Sequence, residues 1–369
     1  MSANEPSLTS FLAAKSKLSV FKKMIASSVG WKPIASALPG YSIIIPVVTP
    51  LEKILVPNLM FIERQAMPNL RSIIIVCDRP KEAMPTDVES EALGKFASLP
   101  MEFVYWGKSH RQLYKMMKHS HGAAWLSWCL GLAKVQTNHV FLHHFDAFHL
   151  RKDLIEERYQ ATLDGTESYV GCDFFEDDQL AASDGFVSTI ELFMDAELVR
   201  KQLKPADLYR QVTKFRNRRL QFEVFTYAQA QAGSACKIPI QDDDMVHLGK
   251  VFHQYHQVMQ RQNVLMPEFN NLPLLPYLLY VAGKPGVLTE HRDAYDKATT
   301  TMVQIFDTEM DIEYLSHNHV NRMMTQAFAI EKEVVGTVRP EVSVYFDSIR
   351  KFINRRDRGQ LKPEIAGLH

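Results

Sequence analysis

Tyr41-Ser42-Ile43-Ile44-Ile45-Pro46-Val47-Val48 is the stretch on which the fold turns. A β-branched run without polar alternation reads as a strand buried on both faces, and such strands occur in parallel sheets covered by helices. Downstream, Leu51, Leu55, Leu59 and Ile62 repeat at helical spacing, and Asn69-Leu70-Arg71 leads into a second apolar strand from Ser72 to Cys77, closed by Asp78. Strand, helix and strand make one βαβ unit. The pattern recurs, with a helix expected over 88–97, a strand over 101–105, a long helix within 110–134 and a strand over 139–143. In open sheets of this kind ligands sit beyond the carboxyl ends of the strands, which places Asp78 and His143-His144-Phe145-Asp146 where chemistry is expected.

After Arg151 the order is less regular, with strands expected over 168–173 and 186–192 and helices over 196–203 and 223–232. A proline-rich connector follows about residue 260, then helical stretches over 301–333 and 342–354. The reading is an α/β fold in three parts: a helical segment over 1–40, an open, mostly parallel sheet domain over 41–260 and a helical region over 261–369. No internal repeat or low-complexity segment is present.

Composition narrows the function. Of 369 residues 46% are hydrophobic and 23% charged, enough to build a core without staples. The four cysteines, Cys77, Cys129, Cys172 and Cys236, stand far apart, against a zinc knuckle or disulfide framework. With 42 Lys and Arg against 42 Asp and Glu, the chain lacks the basic excess of a protein built around nucleic acid. No segment reaches the roughly 20 apolar residues of a spanning helix, and the first residues do not read as a signal peptide, so a cytoplasmic protein is expected. Residues 1–40 carry Lys15, Lys17, Lys22, Lys23 and Lys32 against the single acid Glu5, with Leu12, Val20, Phe21, Met24 and Ile25 as an apolar face. Such a helix either packs on the domain or makes peripheral contact with an anionic membrane.

The order of features over about 41–253 resembles the inverting, family-2-like glycosyltransferases of the GT-A fold, which transfer a sugar from a nucleotide-diphosphate donor. Tyr41 to Val48 is similar to the family's first strand, and the resemblance places Pro46 and Val48 beside the nucleotide. It makes Asp78, at the end of the second strand, the acid that reads the base, since an ionised carboxylate accepts a ring N–H; the alternative is a cap for the following turn. The family's Asp-x-Asp metal motif falls on His144-Phe145-Asp146. Asp146 would stand at the diphosphate, with a divalent cation, Mn²⁺ or Mg²⁺, held by Asp146, His144 and His247. A histidine in the first acidic position favours Mn²⁺ or weakens metal binding. A strand-end carboxylate with a structural hydrogen bond is the other reading of Asp146, and His253 and His256 compete with His247.

Phe222-Glu223, Gly233, the short strand Lys237-Ile238-Pro239-Ile240 and His247 are similar to the family's late signature: an acid at a helix start, a glycine, a strand and a histidine. The resemblance makes Glu223 the general base, its charge favoured by the helix dipole. Arg216, Arg218 and Arg219, with Arg210 and Lys214, are candidates to grip the diphosphate or a phosphorylated acceptor, or they form an exposed basic helix face. Asp177, in the Glu176-Asp177-Asp178 loop, is a candidate acceptor contact.

The resemblance implies a glycosyltransferase in polysaccharide or glycoconjugate synthesis, acting on a carbohydrate or glycolipid acceptor. A sugar nucleotidyltransferase is disfavoured because Pro46-Val47-Val48-Thr49-Pro50 offers no glycine for a triphosphate loop. A non-catalytic member that binds carbohydrate or protein is the third reading, supported by the altered Asp-x-Asp.

Overall fold

The run around Ile43 forms β1 (Leu38–Val47), interior to a seven-stranded sheet. In this computed structural model residues 6–49, 51–84, 87–117, 120–164, 167–177, 179–241, 243–249, 255, 271–305 and 308–361 are described. Beside β1 lie β2 (Leu70–Cys77) and then β3 (Met101–Tyr105); on its other side lies β4 (Thr137–Leu142). Pairing is parallel throughout these four, with Ile43, Ile44 and Ile45 opposite Ile73, Ile74 and Ile75. All six isoleucines are buried, each worth about 1.5–3 kcal/mol, which explains a run without polar alternation. The sheet continues through β7 (Leu192–Asp195), β6 (Tyr169–Gly171) and β10 (Ala235–Lys237), in the order β10-β6-β7-β4-β1-β2-β3. Only β7 runs antiparallel, paired with β4 and β6. The open, mostly parallel, Rossmann-like α/β sheet expected from the sequence is present.

Helices cover the sheet. The helix α5 (Ser120–Leu132) packs on β1 and β2, and Gly131 permits the approach, because a Cβ there would lie 2.6 Å from Ile44 Cγ2. Before it come α3 (Val88–Lys95) and α4 (Lys108–Met117), and the long helix expected over 110–134 is helical over 108–117 and 120–132, with 118–119 outside the described residues. At the amino end α1 (Leu8–Ser28) is capped by Ser7, whose hydroxyl accepts from Ser10 N–H. Its buried face is Phe11, Leu18 and Ile25, whereas Leu12 and Val20 of the expected apolar face point to solvent. Lys214, Arg216, Arg218 and Arg219 lie not on a helix but on a hairpin, β8 (Gln211–Phe215) and β9 (Arg218–Phe222), whose turn residues Arg216 and Asn217 are both left-handed.

The chain forms two compact units. The sheet belongs to the first, Met1–Glu52, Glu63–Phe145 and Lys152–Gln241; the second comprises Lys53–Ile62, Asp146–Arg151 and Asp242–His369. In the second unit β5 (Ala147–His149) pairs antiparallel with β11 (Met245–His247), and Asn58 of α2 (Leu55–Glu63) donates to Ala147 O at 2.8 Å. Its helices are α10 (Leu274–Val281), α11 (Gly286–Lys297), α12 (His317–Val334) and α13 (Pro340–Asp357). They enclose Tyr277, Tyr295, Tyr345, Phe346 and Phe352. Arg355 closes the carboxyl end of α11 by donating to Tyr295 O and Ala298 O. The start of the helical stretch expected over 301–333 is a hairpin, β12 (Met302–Ile305) with β13 (Thr308–Asp311), because Met302 to Ile305 alternates buried and exposed positions as a strand does.

Candidate active site

From β1 the chain adds β2 and β3 on one side and then crosses to place β4 on the other, so the topological switch point lies between β1 and β4. A crevice beyond the carboxyl ends of these strands is the expected ligand site. Pro46 lies inside the ladder opposite Val76, Val48 is buried just beyond the strand, and Thr49 follows. Asp78 Oδ1 accepts from the Thr49 amide at 3.1 Å and the Thr49 hydroxyl at 2.7 Å, and its own N–H donates to Val47 O. The strand ends are thus tied together and the carboxylate orientation is fixed. Burial pushes the Asp78 carboxyl above its ordinary range, with the two Thr49 hydrogen bonds and the charges of Arg79 and Arg111 opposing. Burial also pushes the adjacent Cys77 thiol up to about 12, which removes it as a nucleophile.

At the end of β4, His143 N–H donates to Ile44 O, and the His143 imidazole Nδ1 lies 2.8 Å from Glu191 Oε2. The other carboxylate oxygen accepts from His144 N–H at 3.0 Å. His143 and Glu191 are almost fully buried, at 1% and 0% side-chain exposure. Glu191 takes a left-handed backbone, φ 50°, a conformation that costs a non-glycine residue about 1–2 kcal/mol. Its carbonyl is held by buried Arg158, which also bonds Val170 O and Ile238 O. Strain beside a buried carboxylate at a switch point marks a constrained site. Glu191 is absent from the sequence reading, because nothing in Thr189-Ile190-Glu191-Leu192 separates it from an ordinary strand-edge acid.

In the second unit Asp146 is buried and its Oδ1 lies 3.5 Å from His247 Nε2. The ladder brings them together: His247 pairs with Ala147, and Leu248 N–H donates to Asp146 O at 3.0 Å. Leu150 N–H donates to Asp244 O, and Arg151 and Asp244 form an ion pair at 3.4 Å. Asp242, His253 and His256 lie outside the described residues. His144 belongs to the first unit, where its ring lies 5.5 Å from that of Trp128.

Glu223 follows β9, and α9 (Thr226–Gln231) begins three residues later, after Phe225 at φ 63°. Its carboxylate is therefore not on a helix dipole, as the sequence implied; Arg210 Nη2 holds its Oε1 at 2.8 Å. Arg218 Nη2 and Arg216 Nη1 meet Asp184 Oδ1 at 2.6 and 3.4 Å, Arg218 also donates to Gln179 O, and Arg219 stands opposite Lys214 in the hairpin. Arg216 and Arg218 lock the hairpin over Phe186, Leu220 and Phe222. Asp177 Oδ1 accepts from the amides of Gln179 and Leu180, both at 2.7 Å, an Asx turn.

No family model and no curated protein sequence matches the chain. Among solved structures it is similar to S. aureus TarS, at 10% identity over 85% of this chain and 55% of that one, TM-score 0.38. It is also similar to the mannosyltransferase PcManGT from Pyrobaculum calidifontis, solved in complex with GDP-Man and Mn²⁺, at 14% identity over 94% and 97%, TM-score 0.35. Core-mannan synthase A from Aspergillus fumigatus, in its Mn/GDP form, gives 9% identity over 46% and 66%, TM-score 0.29. The chain spans about half the length of TarS. The likeness stays at the level of architecture, and roles rest on the residues themselves.

Proposed function

We propose that the protein moves a glycosyl group from a nucleoside-diphosphate sugar to a hydroxyl of a carbohydrate or glycolipid acceptor, by direct displacement with inversion. One observation carries the reading: the switch point between β1 and β4 adjoins a strand-end carboxylate, Asp78, whose orientation is fixed by Thr49. With Oδ1 held by Thr49, the second oxygen of Asp78 accepts an N–H of the base. Pro46 and Val48 flank the nucleotide. Glu223 takes the acceptor proton as the acceptor oxygen bonds the anomeric carbon, the bond from that carbon to the phosphate oxygen breaks, and the nucleoside diphosphate leaves with its electron pair. Arg216, Arg218, Arg219 and Asp177 serve this reading as contacts at the diphosphate or acceptor side.

The residues fit a divalent cation. Two ligands on one octahedral ion stand about 3 Å apart, close to the 3.5 Å between Asp146 Oδ1 and His247 Nε2. A carboxylate with an imidazole suits Mn²⁺ better than Mg²⁺, which prefers oxygen. Such an ion, when bound, neutralises charge on the diphosphate.

Thermal unfolding with UDP, GDP, CMP and dTDP, each with and without Mn²⁺, tests the reading. A nucleotide at 100 times its dissociation constant adds about 2.7 kcal/mol of stability. One nucleotide is expected to raise the melting temperature, and silence from all four overturns the proposal. Glu223→Gln is expected to keep the nucleotide response and lose transfer; transfer at the wild-type rate removes Glu223 as the base.

A further inference from the structure

The helix α1 buries Phe11, Leu18 and Ile25 against the first unit and turns another face outward. On that face Leu8, Leu12 and Val20 are 57%, 54% and 61% exposed, three of the ten most exposed large apolar side chains among the described residues. At 3.6 residues per turn they fall within about a third of the circumference. Lys23 lies within the same sector, and Lys15 and Lys17 flank it. The helix carries four lysines and no acidic residue along its 21 positions. An apolar row laced with lysines, on a helix already anchored by its opposite face, is the pattern of a segment that lies in a membrane interface, where long lysine stems bury their methylenes and keep the ammonium in the headgroup layer.

A second feature adjoins it. Lys15, Ser19 and Lys22 of α1, with Thr213, Tyr227 and Gln231, line a groove of about 300 Å³. Two lysines, hydroxyls and an amide suit a phosphate-bearing headgroup, and Asp207, 3.9 Å from Lys22, leaves the groove with a net positive lining.

We infer that α1 docks the protein on an anionic bilayer, with Leu8, Leu12 and Val20 in the acyl boundary and a lipid phosphate in the Lys15–Lys22 groove. The inference stands apart from the glycosyl-transfer reading, since none of these residues is assigned to donor or acceptor. The full chain would be floated with vesicles of phosphatidylcholine alone and of phosphatidylcholine mixed with phosphatidylglycerol. Each lysine at an anionic surface contributes about five-fold to partitioning, so Lys15→Gln/Lys17→Gln/Lys23→Gln is expected to lose on the order of 100-fold. Leu12→Ser/Val20→Ser is expected to lose at least about ten-fold, since each buried methylene is worth about four-fold and at least one is lost from each side chain. All five positions are exposed, so both variants should melt with the wild type, which a thermal scan verifies. High salt should weaken binding by screening.

Equal binding to both vesicle types, or undiminished binding by the lysine variant, overturns the inference. So does sedimentation of the wild type as a dimer that Leu12→Ser/Val20→Ser dissociates, since the apolar row would then be covered by a second copy. Abolition of vesicle binding by soluble glycerol phosphate at equal phosphate concentration would identify a soluble-phosphate site and likewise overturn it.

Discussion

Glu331 in the helical unit and Glu191 beside the sheet are both fully buried carboxylates, and they are held in different ways. Arg339 forks both oxygens of Glu331, at 2.8 and 2.6 Å, its amide adds a third bond and Tyr277 O–H a fourth. The guanidinium itself lies over the Tyr280 ring, 4.1 Å from its centroid. Glu331 itself lies on regular helix, and its charged partner is a permanent cation. Glu191 sits on left-handed backbone, bonded to an imidazole and a peptide N–H at the carboxyl end of β4. The first arrangement fixes a helix bundle; the second fixes the conformation of His143 and His144 at the switch point.

The sharpest break of this comparison is Glu331→Ala. It leaves Arg339 without its carboxylate and is expected to cost about 3–5 kcal/mol in urea unfolding. A near-neutral result would mean that the ion pair contributes no more than an apolar filling. Glu191→Gln keeps the shape and loses the charge, with an expected cost of about 1–3 kcal/mol. Its distinguishing mark is functional: the nucleotide response of the melting temperature should fall with Glu191→Gln and persist, in whatever fraction folds, with Glu331→Ala. Equal loss of stability with an intact nucleotide response would make Glu191 a second Glu331.

Asp78 tests the same contrast at a half-buried acid. Its folded carboxyl lies above the ordinary value of 3.8 because burial opposes ionisation. The ionised group therefore destabilises the fold, fully so above the raised value, and the penalty disappears as pH falls through that value to 3.8. Asp78→Asn, which can still accept from Thr49, should match or exceed wild-type stability at neutral pH, with the advantage fading on acidification, and should lose the nucleotide response. A stabilised variant that still binds nucleotide would remove Asp78 from the site.

The sheet was legible because its signal is local: the isoleucines of β1 and β2 are buried on both faces, and such strands must be apolar throughout. The order of strands was less so. The antiparallel β7 is four residues long, too short for periodicity to locate, and its pairing of Asp195 with His139 joins residues 56 apart in sequence. Asp146 and His247 were legible as candidates, but not the β5–β11 ladder that brings them to 3.5 Å. Glu223 was placed at a helix start that lies three residues further on, and the hairpin before it was missed because the alternation in β8 and β9 is masked by basic side chains, whose stems pack like apolar ones on a half-exposed hairpin. Glu191 left no trace, since its role comes from a backbone conformation that no residue type there announces.

The smallest effect is expected at the hairpin, where an ion pair is neither buried like Glu331 nor strained like Glu191. Arg218 meets Asp184 at 2.6 Å with 35% and 8% side-chain exposure, so Arg218→Ala should cost about 0.5–1 kcal/mol and less in high salt. Burial works against ionisation of Asp184, but the Arg218 hydrogen bond, the Ala181 amide and the charges of Arg218 and Arg216 outweigh it and hold the carboxyl below 3.8. The pair's contribution is therefore complete above 3.8 and lost as pH falls through the lowered folded value, so wild type and Arg218→Ala should converge only in strong acid. Arg216, at 3.4 Å from the same oxygen and 60% exposed, takes up part of the charge in the single variant, and Arg216→Ala/Arg218→Ala should show the larger deficit. The contact proposed for Arg218 at the diphosphate or acceptor adds a second readout to the same variant: a nucleotide response weakened beyond the loss of stability places Arg218 at the diphosphate, where its pairing with Asp184 is a resting contact that the donor displaces, and an unchanged response removes it from the diphosphate.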